Sequence, residues 1–413
     1  MNNYRIVKNT DWKEVEINGE MTEIPVDWEV KKIKDVAKII PGQSPEMNYI
    51  NEKDGIDFHQ GNTLFSSKFI KPSIKKIQRE KAKKIAPANS ILMSVRAPVG
   101  DINVTNSDIA IGRGLTALVP FNTKEYLLNI LRLNKEKIAG LGSGSTFEGI
   151  KISEFSEFQF MFSTEQSSIA SILSAQESII QDIESLISKY ESRFQYLSEE
   201  LLSGKLRVKE VDGKTVFYKN PEDNWKEVEV NGEMKEIPKD WTYSNPKMLG
   251  FNIKTGKKDA NAAKKNGIYP FFTCSSSEVF RIDSYTFDTE ALLISGNGST
   301  LGEVRYYKGR FDAYQRTYVI DNIKNIFYYD LYFKKYFKNS LNIVGGSIPF
   351  IKLGDIEYFD ILIPNDYEKS IIVSVLNHQI ELITKQKDLC NKEENKFNFL
   401  LDYFLSGKVL IKE

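Results

Sequence analysis

The chain of 413 residues contains one passage twice, and this repeat constrains the fold more than any other feature. Residues 11–28 read DWKEVEINGEMTEIPVDW, and residues 224–241 read NWKEVEVNGEMKEIPKDW, so that 14 of 18 positions are identical. All four tryptophans of the chain lie in these two copies. An internal repeat of this kind indicates a duplicated architecture. We therefore expect two halves built on matching supports.

A second repeated passage closes each half. The segment that ends LLSGKLRVKE at residue 210 matches the segment that ends FLSGKVLIKE at residue 413, and the two copies lie 203 residues apart. The sequences between the repeats differ almost completely, with SVRAPVGDI from Ser94 in one and ISGNGSTLGEV from Ile294 in the other. Simple structural redundancy is one interpretation of such a repeat. Because the divergence is confined to the inserts, we favour two modules that recognise different things.

The supports are predicted to be long helices. Apolar residues recur at steps of three and four over residues 169–201 and again 203 residues later, and neither stretch contains proline. This spacing, sustained over about five heptads, is typical of a coiled-coil seam. Each stretch ends at Ser-Gly-Lys, where glycine can take the left-handed capping conformation. The residues predicted to pack the helices are Ile172, Ile179, Ile183, Leu186, Leu197, Val375, Leu382, Leu389 and Leu400.

The modules, roughly residues 29–160 and 242–365, are predicted to be mixed and rich in β-strand. Short apolar runs such as residues 91–95 and 291–295 are punctuated by Gly, Pro and Asn. Duplicated halves that pack through one surface tend toward a two-fold relation, which would set the helices antiparallel. The expected class is α+β: two pseudo-two-fold-related halves, each a β-rich module followed by a long helix, with the helices packed as an antiparallel coiled coil. The helix pair would then act as a ruler between the modules.

Composition excludes several classes of protein. Lys and Arg together number 56, as do Asp and Glu, which excludes a uniformly basic coat but leaves room for a local basic face. Two cysteines and two histidines supply neither a disulfide framework nor a His-rich metal site. The N-terminus lacks the apolar core of a signal peptide, and no stretch has the ~18 apolar residues of a membrane span. We expect a soluble, cytoplasmic protein without a membrane partner.

Catalytic signatures are absent from the sequence. It contains no GxxxxGK[ST] phosphate loop, and the glycine-rich segments 140–145 and 295–302 do not fit a dinucleotide-binding fingerprint. The Asn/Asp-Pro-Pro-aromatic motif of amino-methyltransferases is also missing. We therefore expect a chain that binds but does not react, with no catalytic residue, metal or cofactor of its own.

Basic residues nevertheless cluster in both modules, at residues 68–84 in the first and at residues 254–265 and 305–316 in the second. Such clusters suit the gripping of phosphates, although each one alone is also typical of a solvated face. Reading of base edges needs forked or amide donors, with Ser and Thr as adaptable partners. The candidate DNA-binding residues are Gln43, Ser44, Gln60, Asn62, Lys75, Lys76, Arg96, Arg113, Lys254, Thr255, Lys257, Thr273, Ser275, Ser276, Asn297 and Arg316.

The whole layout resembles a known family. An Ile-Pro-x-Asp-Trp entry (residues 24–28 and 237–241) precedes a variable module, a Gly-Ser turn (Gly144 and Gly346) and a long helix ending Ser-Gly-Lys. This order is similar to that of the specificity subunits of type I restriction–modification enzymes. Residues 28–45 also resemble the start of a target recognition domain of that family, and residues 269–277 and 292–304 resemble the interior of such a domain. The resemblance covers nearly the whole chain.

The resemblance implies two target recognition domains, each reading one half of a bipartite sequence in double-stranded DNA, with the helices fixing the spacer. It also implies two methylation subunits docked on this chain and two restriction and motor subunits outside them, which would bring S-adenosylmethionine, ATP and Mg²⁺. The expected segments are a repeat segment (1–28), recognition domain 1 (29–160), a central helix (161–207), a linker with the second repeat (208–241), recognition domain 2 (242–365) and a C-terminal helix (366–413).

A different class of function also fits the repeats. The modules could hold proteins, and the helices could serve to dimerise the chain as a scaffold. Loss of DNA binding at modest salt, with protein partners still captured, would favour this alternative.

Overall fold

The computed structural model describes residues 5–142, 149–275, 279–341 and 349–412; the Gly-Ser turns at residues 144–145 and 346–347 lie outside these ranges. The chain divides into unit 1, which comprises Met1–Glu184 and Asp388–Glu413, and unit 2, which comprises Ser185–Lys387. Both boundaries fall inside long helices and are again 203 residues apart. Each unit therefore combines one module with parts of both helices.

The first half of the chain contains many short strands and one long helix. Its strands are β1 (Arg5–Lys8), β2 (Trp12–Ile17), β3 (Glu20–Pro25), β4 (Glu29–Lys32), β5 (Ala37–Pro41), β6 (Ile50–Asn51), β7 (Ile56–His59), β8 (Lys76–Ile77), β9 (Ile85–Ala86), β10 (Ile91–Ser94), β11 (Ile102–Val104), β12 (Ile109–Ile111), β13 (Leu115–Pro120) and β14 (Gln159–Phe162). Its helices are α1 (Ile33–Val36), α2 (Lys124–Leu133), α3 (Lys135–Gly140), α4 (Ile152–Glu157) and α5 (Gln166–Leu202).

The second half repeats this plan with longer central strands. Its strands are β15 (Leu206–Val211), β16 (Lys214–Lys219), β17 (Trp225–Val230), β18 (Glu233–Pro238), β19 (Thr242–Ser244), β20 (Asn252–Thr255), β21 (Tyr269–Phe272), β22 (Phe280–Ile282), β23 (Phe287–Ser295), β24 (Val304–Ala313), β25 (Thr317–Asp321), β26 (Ile361–Ile363) and β27 (Val409–Lys412). Its helices are α6 (Ile326–Tyr332), α7 (Lys338–Ser340), α8 (Leu353–Glu357) and α9 (Asp366–Leu405), with a π-helical turn at Phe333–Phe337.

Each module is built around antiparallel sheets with one parallel pairing. In unit 1 the strand orders are β11-β10-β13-β5 and β6-β8-β7-β12-β9, and β7 runs parallel to β12. In unit 2 a single sheet has the order β20-β25-β23-β24-β21-β22, and β21 runs parallel to β24. Two-stranded ladders β4–β14 and β19–β26 connect each module to its support. The expected α+β class with β-rich modules is confirmed.

The repeated passages form matching β-hairpins. β2 pairs with β3 and β17 with β18, and each hairpin turns at an Asn-Gly pair in which both residues have positive φ: Asn18-Gly19 and Asn231-Gly232. Positive φ at both turn positions is the geometry that suits a two-residue hairpin. Trp28 and Trp241, which follow the hairpins, are fully buried in the main core of their unit. The repeat therefore encodes a hairpin and an aromatic anchor.

The ends of the described chain meet in unit 1. β1 pairs antiparallel with β27, from Arg5 opposite Lys412 to Lys8 opposite Val409. Unit 2 forms the corresponding ladder inside one hairpin, in which β15 pairs with β16. The same backbone hydrogen bond follows both ladders, from Asn9 N–H to the Lys408 carbonyl (2.9 Å) and from Asn220 N–H to the Lys205 carbonyl (3.0 Å). One support geometry is thus made once by a continuous segment and once by two distant segments.

The two long helices, α5 and α9, pack together with a regular seam. Buried and half-buried positions alternate at steps of four and three residues in both helices, which is the spacing of a coiled coil. In α5 the seam consists of Ile169, Leu173, Gln176, Ile180, Ile183, Ile187, Tyr190, Phe194, Leu197 and Leu201. In α9 it consists of the residues 203 positions later: Ile372, Leu376, Gln379, Ile383, Gln386, Cys390, Glu393, Phe397, Leu400 and Phe404.

The helices run antiparallel within each unit. In unit 1, Nε2 of Gln176 donates to Oε2 of Glu393 over 2.6 Å, and Ile169 shares the core with Phe404. In unit 2, Leu201 near the end of α5 shares the core with Ile372 near the start of α9. The expected antiparallel packing is confirmed in both places.

The structure corrects part of the predicted helix packing. Ile183, Leu197 and Leu400 lie in the seam, whereas half-buried positions beside it are occupied by Ile172, Leu186, Val375 and Leu382. Ile179 and Leu389 are exposed by 45% and 41% and lie outside the seam. The sequence offers apolar pairs such as Ile179-Ile180, either of which continues a three-four spacing. In this pair the seam uses the second residue, Ile180, which is buried.

Each long helix ends where the two repeated passages meet. Gly204 and Gly407 follow the helices with φ of +76° and +74°, the left-handed conformation predicted for the caps. A Cβ on Gly204 would lie 2.5 Å from Cγ of Pro238, and one on Gly407 would lie 2.6 Å from Cδ of Pro25. Glycine is therefore required both for the backbone and for the close approach of the Ile-Pro segment. No helix in the described part of the chain is long and apolar enough to cross a membrane.

Candidate nucleic-acid interface

Five of the predicted DNA-binding residues of the first module line one cleft in unit 1. The cleft has a volume of about 300 Å³. Its polar lining comprises Ser44, Gln60, Asn62, Arg96 and Arg113, together with Ser94. These residues lie far apart in the sequence, on the loops that follow β5, β7, β10 and β12. The cleft therefore gathers side chains from four strand ends.

Backbone hydrogen bonds hold these loops in place. The donors and acceptors are Gly42 N–H to Leu115 O (2.9 Å), Gly112 N–H to His59 O (2.8 Å), Val95 N–H to Gly114 O (3.0 Å) and Ile150 N–H to Val95 O (3.0 Å). His59 itself is buried, and burial lowers the pKa of its imidazole although Asp57 lies nearby. The loops are thus positioned by main chain, which leaves the side chains free to vary.

The cleft carries two positive charges without a carboxylate partner. Arg79 and Arg132, also in unit 1, form ion pairs at 2.7 Å with Asp108 and at 2.8 Å with Glu177. Arg96 and Arg113 are exposed, and among the described residues no carboxylate pairs with either guanidinium. Unpaired guanidinium groups at the rim of a cleft suit an anionic or guanine-bearing ligand.

Other candidates of the first module already have partners inside the protein or lie outside the cleft. Nδ2 of Asn62 donates to Asp101 over 2.6 Å, so this amide already has an acceptor inside the protein. Nζ of Lys76 lies 2.7 Å from Asp57, and this contact helps lower the pKa of Asp57 against the opposing effect of burial. Both side chains therefore have a partner inside the free protein. Gln43 and Lys75 are exposed and lie outside the lining of the cleft.

Unit 2 builds its loops on the same backbone frame. The matching hydrogen bonds are Gly256 N–H to Thr317 O (3.2 Å), Tyr314 N–H to Phe272 O (2.9 Å), Gly296 N–H to Arg316 O (2.8 Å) and Ile351 N–H to Gly296 O (2.8 Å). An isolated antiparallel bridge also recurs, between Arg96 and Gly149 in unit 1 and between Asn297 and Phe350 in unit 2. The two modules therefore share a frame that their sequences do not reveal.

The shared frame defines which loop positions are equivalent in the two units. Residues that make the same backbone hydrogen bond in the two units are equivalent, and so are the residues next to them in the sequence. At the following equivalent positions the two units carry different side chains. The pairs are Gln43 and Lys257, Gln60 and Thr273, Arg96 and Asn297, Arg113 and Gln315, and Gly114 and Arg316. Identical scaffolding with different side chains is what two readers of different targets require.

The remaining candidates of unit 2 lie on or beside this frame. Lys254, Thr255 and Lys257 are exposed at and after the end of β20, and Arg316 is exposed between β24 and β25. Thr273 is buried, and its hydroxyl has no hydrogen-bond partner in the described structure. The carbonyl of Ser275 accepts a hydrogen bond from Arg305. Ser276 lies outside the described residues.

Sequence reasoning missed Gln315. No local motif marks it, because its equivalence to Arg113 is visible only in the backbone hydrogen bonds that the two modules share. Among the described residues, no group of three or more His, Cys, Asp or Glu side chains could hold a metal ion.

Comparisons with known proteins agree with the duplicated plan. Residues 25–189 and 238–396 match the family described as the type I restriction modification DNA specificity domain. The EcoDI specificity subunit of Escherichia coli is 42% identical over 156 residues, covering 37% of this chain and 34% of that protein. The putative MjaX specificity subunit of Methanocaldococcus jannaschii is 33% identical over 199 residues and 46% of each chain. The chain thus spans about a third and about half of these two relatives.

Longer matches cover the whole plan at lower identity. The MjaIX specificity subunit of M. jannaschii is 24% identical over 429 residues, covering 92% of this chain and 93% of that protein. The crystal structure of the S subunit from M. genitalium has a TM-score of 0.58 at 16% identity, covering 92% of this chain and 95% of that one. A chain from a solved type I R-M system has a TM-score of 0.50 at 12% identity, covering 92% and 98%. The structural likeness shows the fold, and the two matched segments show that the chain belongs to the type I restriction–modification specificity family.

Proposed function

We propose that this chain is the DNA sequence-specificity subunit of a type I restriction–modification complex. Each unit reads one half of a bipartite target in double-stranded DNA, and the helices set the length of the unread spacer. The chain itself does no chemistry. Methylation subunits and restriction and motor subunits, expected as two of each, bring S-adenosylmethionine, ATP and Mg²⁺ to the complex.

The observation that carries this proposal is the shared frame with different side chains. A protein that needed two copies of one binding site would keep the same side chains at Arg96 and Asn297 and at Arg113 and Gln315. Sequence is read by side chains that contact base edges, while the backbone scaffold only positions them. Two units with one frame and two sets of loop residues therefore suit two different half-sites.

The helices support the spacer role. α5 and α9 keep an unbroken three-four seam along their length, and each unit contains parts of both helices. A coiled coil is a stiff element with a rise of about 1.5 Å per residue. Its length is therefore suited to setting a distance along a DNA duplex.

Partner docking rests on family membership. The relatives are named as specificity subunits of type I restriction enzymes, which implies that other subunits carry the reactions. We propose that the repeated hairpins and helices, which occur once in each half, present one docking surface for each methylation subunit.

A selection from random DNA tests the proposal. The chain is incubated at low ionic strength with a library of randomised duplexes, and the retained DNA is sequenced. We expect a motif of two unlike half-sites separated by a gap of fixed length. Selection of a single contiguous site, or of no sequence at all, would contradict the proposal.

A matched deletion then tests the ruler. Residues 180–186 and 383–389 form one heptad in each helix at the same 203-residue offset, so removing both preserves the phase of the seam. The loss of about 10 Å of rise should shorten the gap by about three base pairs and leave both half-sites unchanged. An unchanged gap in a folded variant would contradict the ruler while leaving sequence reading intact.

A further inference from the structure

Two equivalent loop positions differ between the units in the same chemical sense. The N–H groups of Val95 in unit 1 and Gly296 in unit 2 make the same backbone hydrogen bond. The next residue along the chain is Arg96 in unit 1 and Asn297 in unit 2. The N–H groups of Gly112 and Tyr314 also make matching backbone hydrogen bonds. The next residue is Arg113 in unit 1 and Gln315 in unit 2. At both positions unit 1 therefore carries a guanidinium group and unit 2 carries a carboxamide.

These two groups read different purines. A guanidinium fork donates two hydrogen bonds to O6 and N7 of guanine. A carboxamide both donates to N7 and accepts from N6 of adenine, a pattern that guanine does not offer in the major groove. The exchange of guanidinium for carboxamide at two positions is therefore an exchange of purine preference.

The four side chains are available for such contacts. Arg96 and Arg113 are exposed, line the same cleft and have no carboxylate partner among the described residues. Asn297 is a half-buried residue, and its side chain does not cap the turn that follows it. Gln315 is exposed, and its amide makes one long contact, at 3.4 Å, with Asp259. By contrast, the amide of Asn62 is held at 2.6 Å by Asp101.

We infer that unit 1 selects guanine through Arg96 and Arg113, whereas unit 2 selects adenine at the equivalent positions through Asn297 and Gln315. This inference rests on the proposed function, because it concerns which bases the two half-sites contain. It adds the residues that choose them and the direction of the choice.

Reciprocal exchanges of these side chains between the two units test the inference. The variant R96N/R113Q carries the side chains of unit 2 in unit 1, and N297R/Q315R carries those of unit 1 in unit 2. Random-duplex selection with the first variant should replace guanine by adenine in one half-site, with a change in base preference of about tenfold or more at each position. The second variant should make the opposite change in the other half-site.

Controls are built into each molecule. R79Q removes an exposed arginine of unit 1 that pairs with Asp108 outside the cleft. Because contacts to phosphates carry no information about the bases, this variant should select the same bases as the wild type in both half-sites. In each exchange variant the untouched half-site reports that the chain is folded and bound. If the wild type selects a bipartite motif but both exchanges leave it unaltered, the inference is wrong and the proposed function stands. If the wild type selects no bipartite motif, the proposed function is wrong.

Discussion

Buried charge around Arg207 joins separate segments of unit 2. Its Nε and Nη2 atoms lie 2.6 and 2.7 Å from the carboxylate oxygens of Glu368, and Nη2 lies 2.7 Å from Asp240. Nε1 of Trp241 also donates to Glu368, over 3.1 Å. Glu368 is only 2% exposed. Because the guanidinium group of Arg207 and the carboxylate of Glu368 are both buried away from water, each charge depends on the other for stabilisation.

We expect Arg207→Met to lower the free energy of unfolding by about 3–5 kcal/mol, because it leaves Glu368 buried without its counter-ion. Urea unfolding of the purified variant measures the change. Lys209→Met, two residues along the same strand at an exposed position, is the matched control and should change stability little. A loss below about 1 kcal/mol for Arg207→Met would contradict this account of the cluster.

Glu177 holds a second charge cluster, in unit 1. Its carboxylate contacts Lys68 and lies 2.8 Å from Arg132, whose guanidinium group lies over the ring of Phe397. Burial acts to raise the pKa of Glu177, but the charges of Arg132 and Lys68 outweigh it, and the pKa lies below its ordinary value of 4.5. The cluster fastens the module to both helices within unit 1.

A pH series tests the Glu177 cluster. Because the folded-state pKa is depressed, the stabilisation is fully present above the ordinary pKa and is lost as the pH falls through the folded-state value. The difference in unfolding free energy between the wild type and Glu177→Gln should therefore be largest near neutral pH and shrink below about pH 4.5. Glu154→Gln, at an exposed ion pair, serves as the control. A difference that does not vary with pH would contradict the assignment.

Single residues were predicted from the sequence only in part. Arg96 and Arg113 could be proposed because forked donors near small residues suit base edges. The roles of Asn62 and Lys76 could not, because their partners Asp101 and Asp57 are brought to them by folding. Chemistry indicates which side chains can read a base, whereas tertiary contacts decide which of them are free to do so.

At the scale of elements, the apolar periodicity predicts that the long helices exist but does not predict which of their residues are buried. The existence of α5 and α9 and their glycine ends were predictable from a three-four pattern and a repeated Ser-Gly-Lys. The phase of the seam was not, because Ile172-Leu173, Ile179-Ile180 and Leu186-Ile187 each offer two adjacent apolar residues. Burial against the second helix selects one of them, and that choice is made only on packing.

The two glutamines of the seam differ in a way that can be measured. Gln176 donates to Glu393, whereas Oε1 of Gln379 is buried without a hydrogen-bond partner in the described structure. Gln379→Leu should therefore raise the free energy of unfolding by about 1 kcal/mol, because it removes an unsatisfied polar atom. Gln176→Leu is the matched control at the equivalent position and should not stabilise. Equal effects of the two substitutions in urea unfolding would contradict this distinction.

At the scale of the whole molecule, the duplication predicted the plan but not its division. Residues 208–224 look like a polar linker between domains, yet most of them form the β15–β16 hairpin inside unit 2. The unit boundaries instead cut both helices, because each module packs on the start of one helix and the end of the other. The division into units depends on which residues pack together in three dimensions, and their order along the chain does not determine this.

The backbone frame shared by the two modules could not be predicted from the sequence either. Their loops differ in length and composition, and the equivalence of Arg113 and Gln315 emerges only from matched backbone hydrogen bonds. Main-chain contacts constrain side-chain identity weakly, so two sequences can diverge while keeping one framework.

Duplicating one module tests the central claim most directly. The variant carries a second copy of residues 29–160 in place of residues 242–361. The two segments end at equivalent points of strands β14 and β26, so the junctions match. If each unit reads its own half-site, random-duplex selection will return a target made of two copies of the half-site that contains the Arg113-dependent guanine, with the wild-type gap. Recovery of the wild-type target, with two unlike halves, would contradict the account.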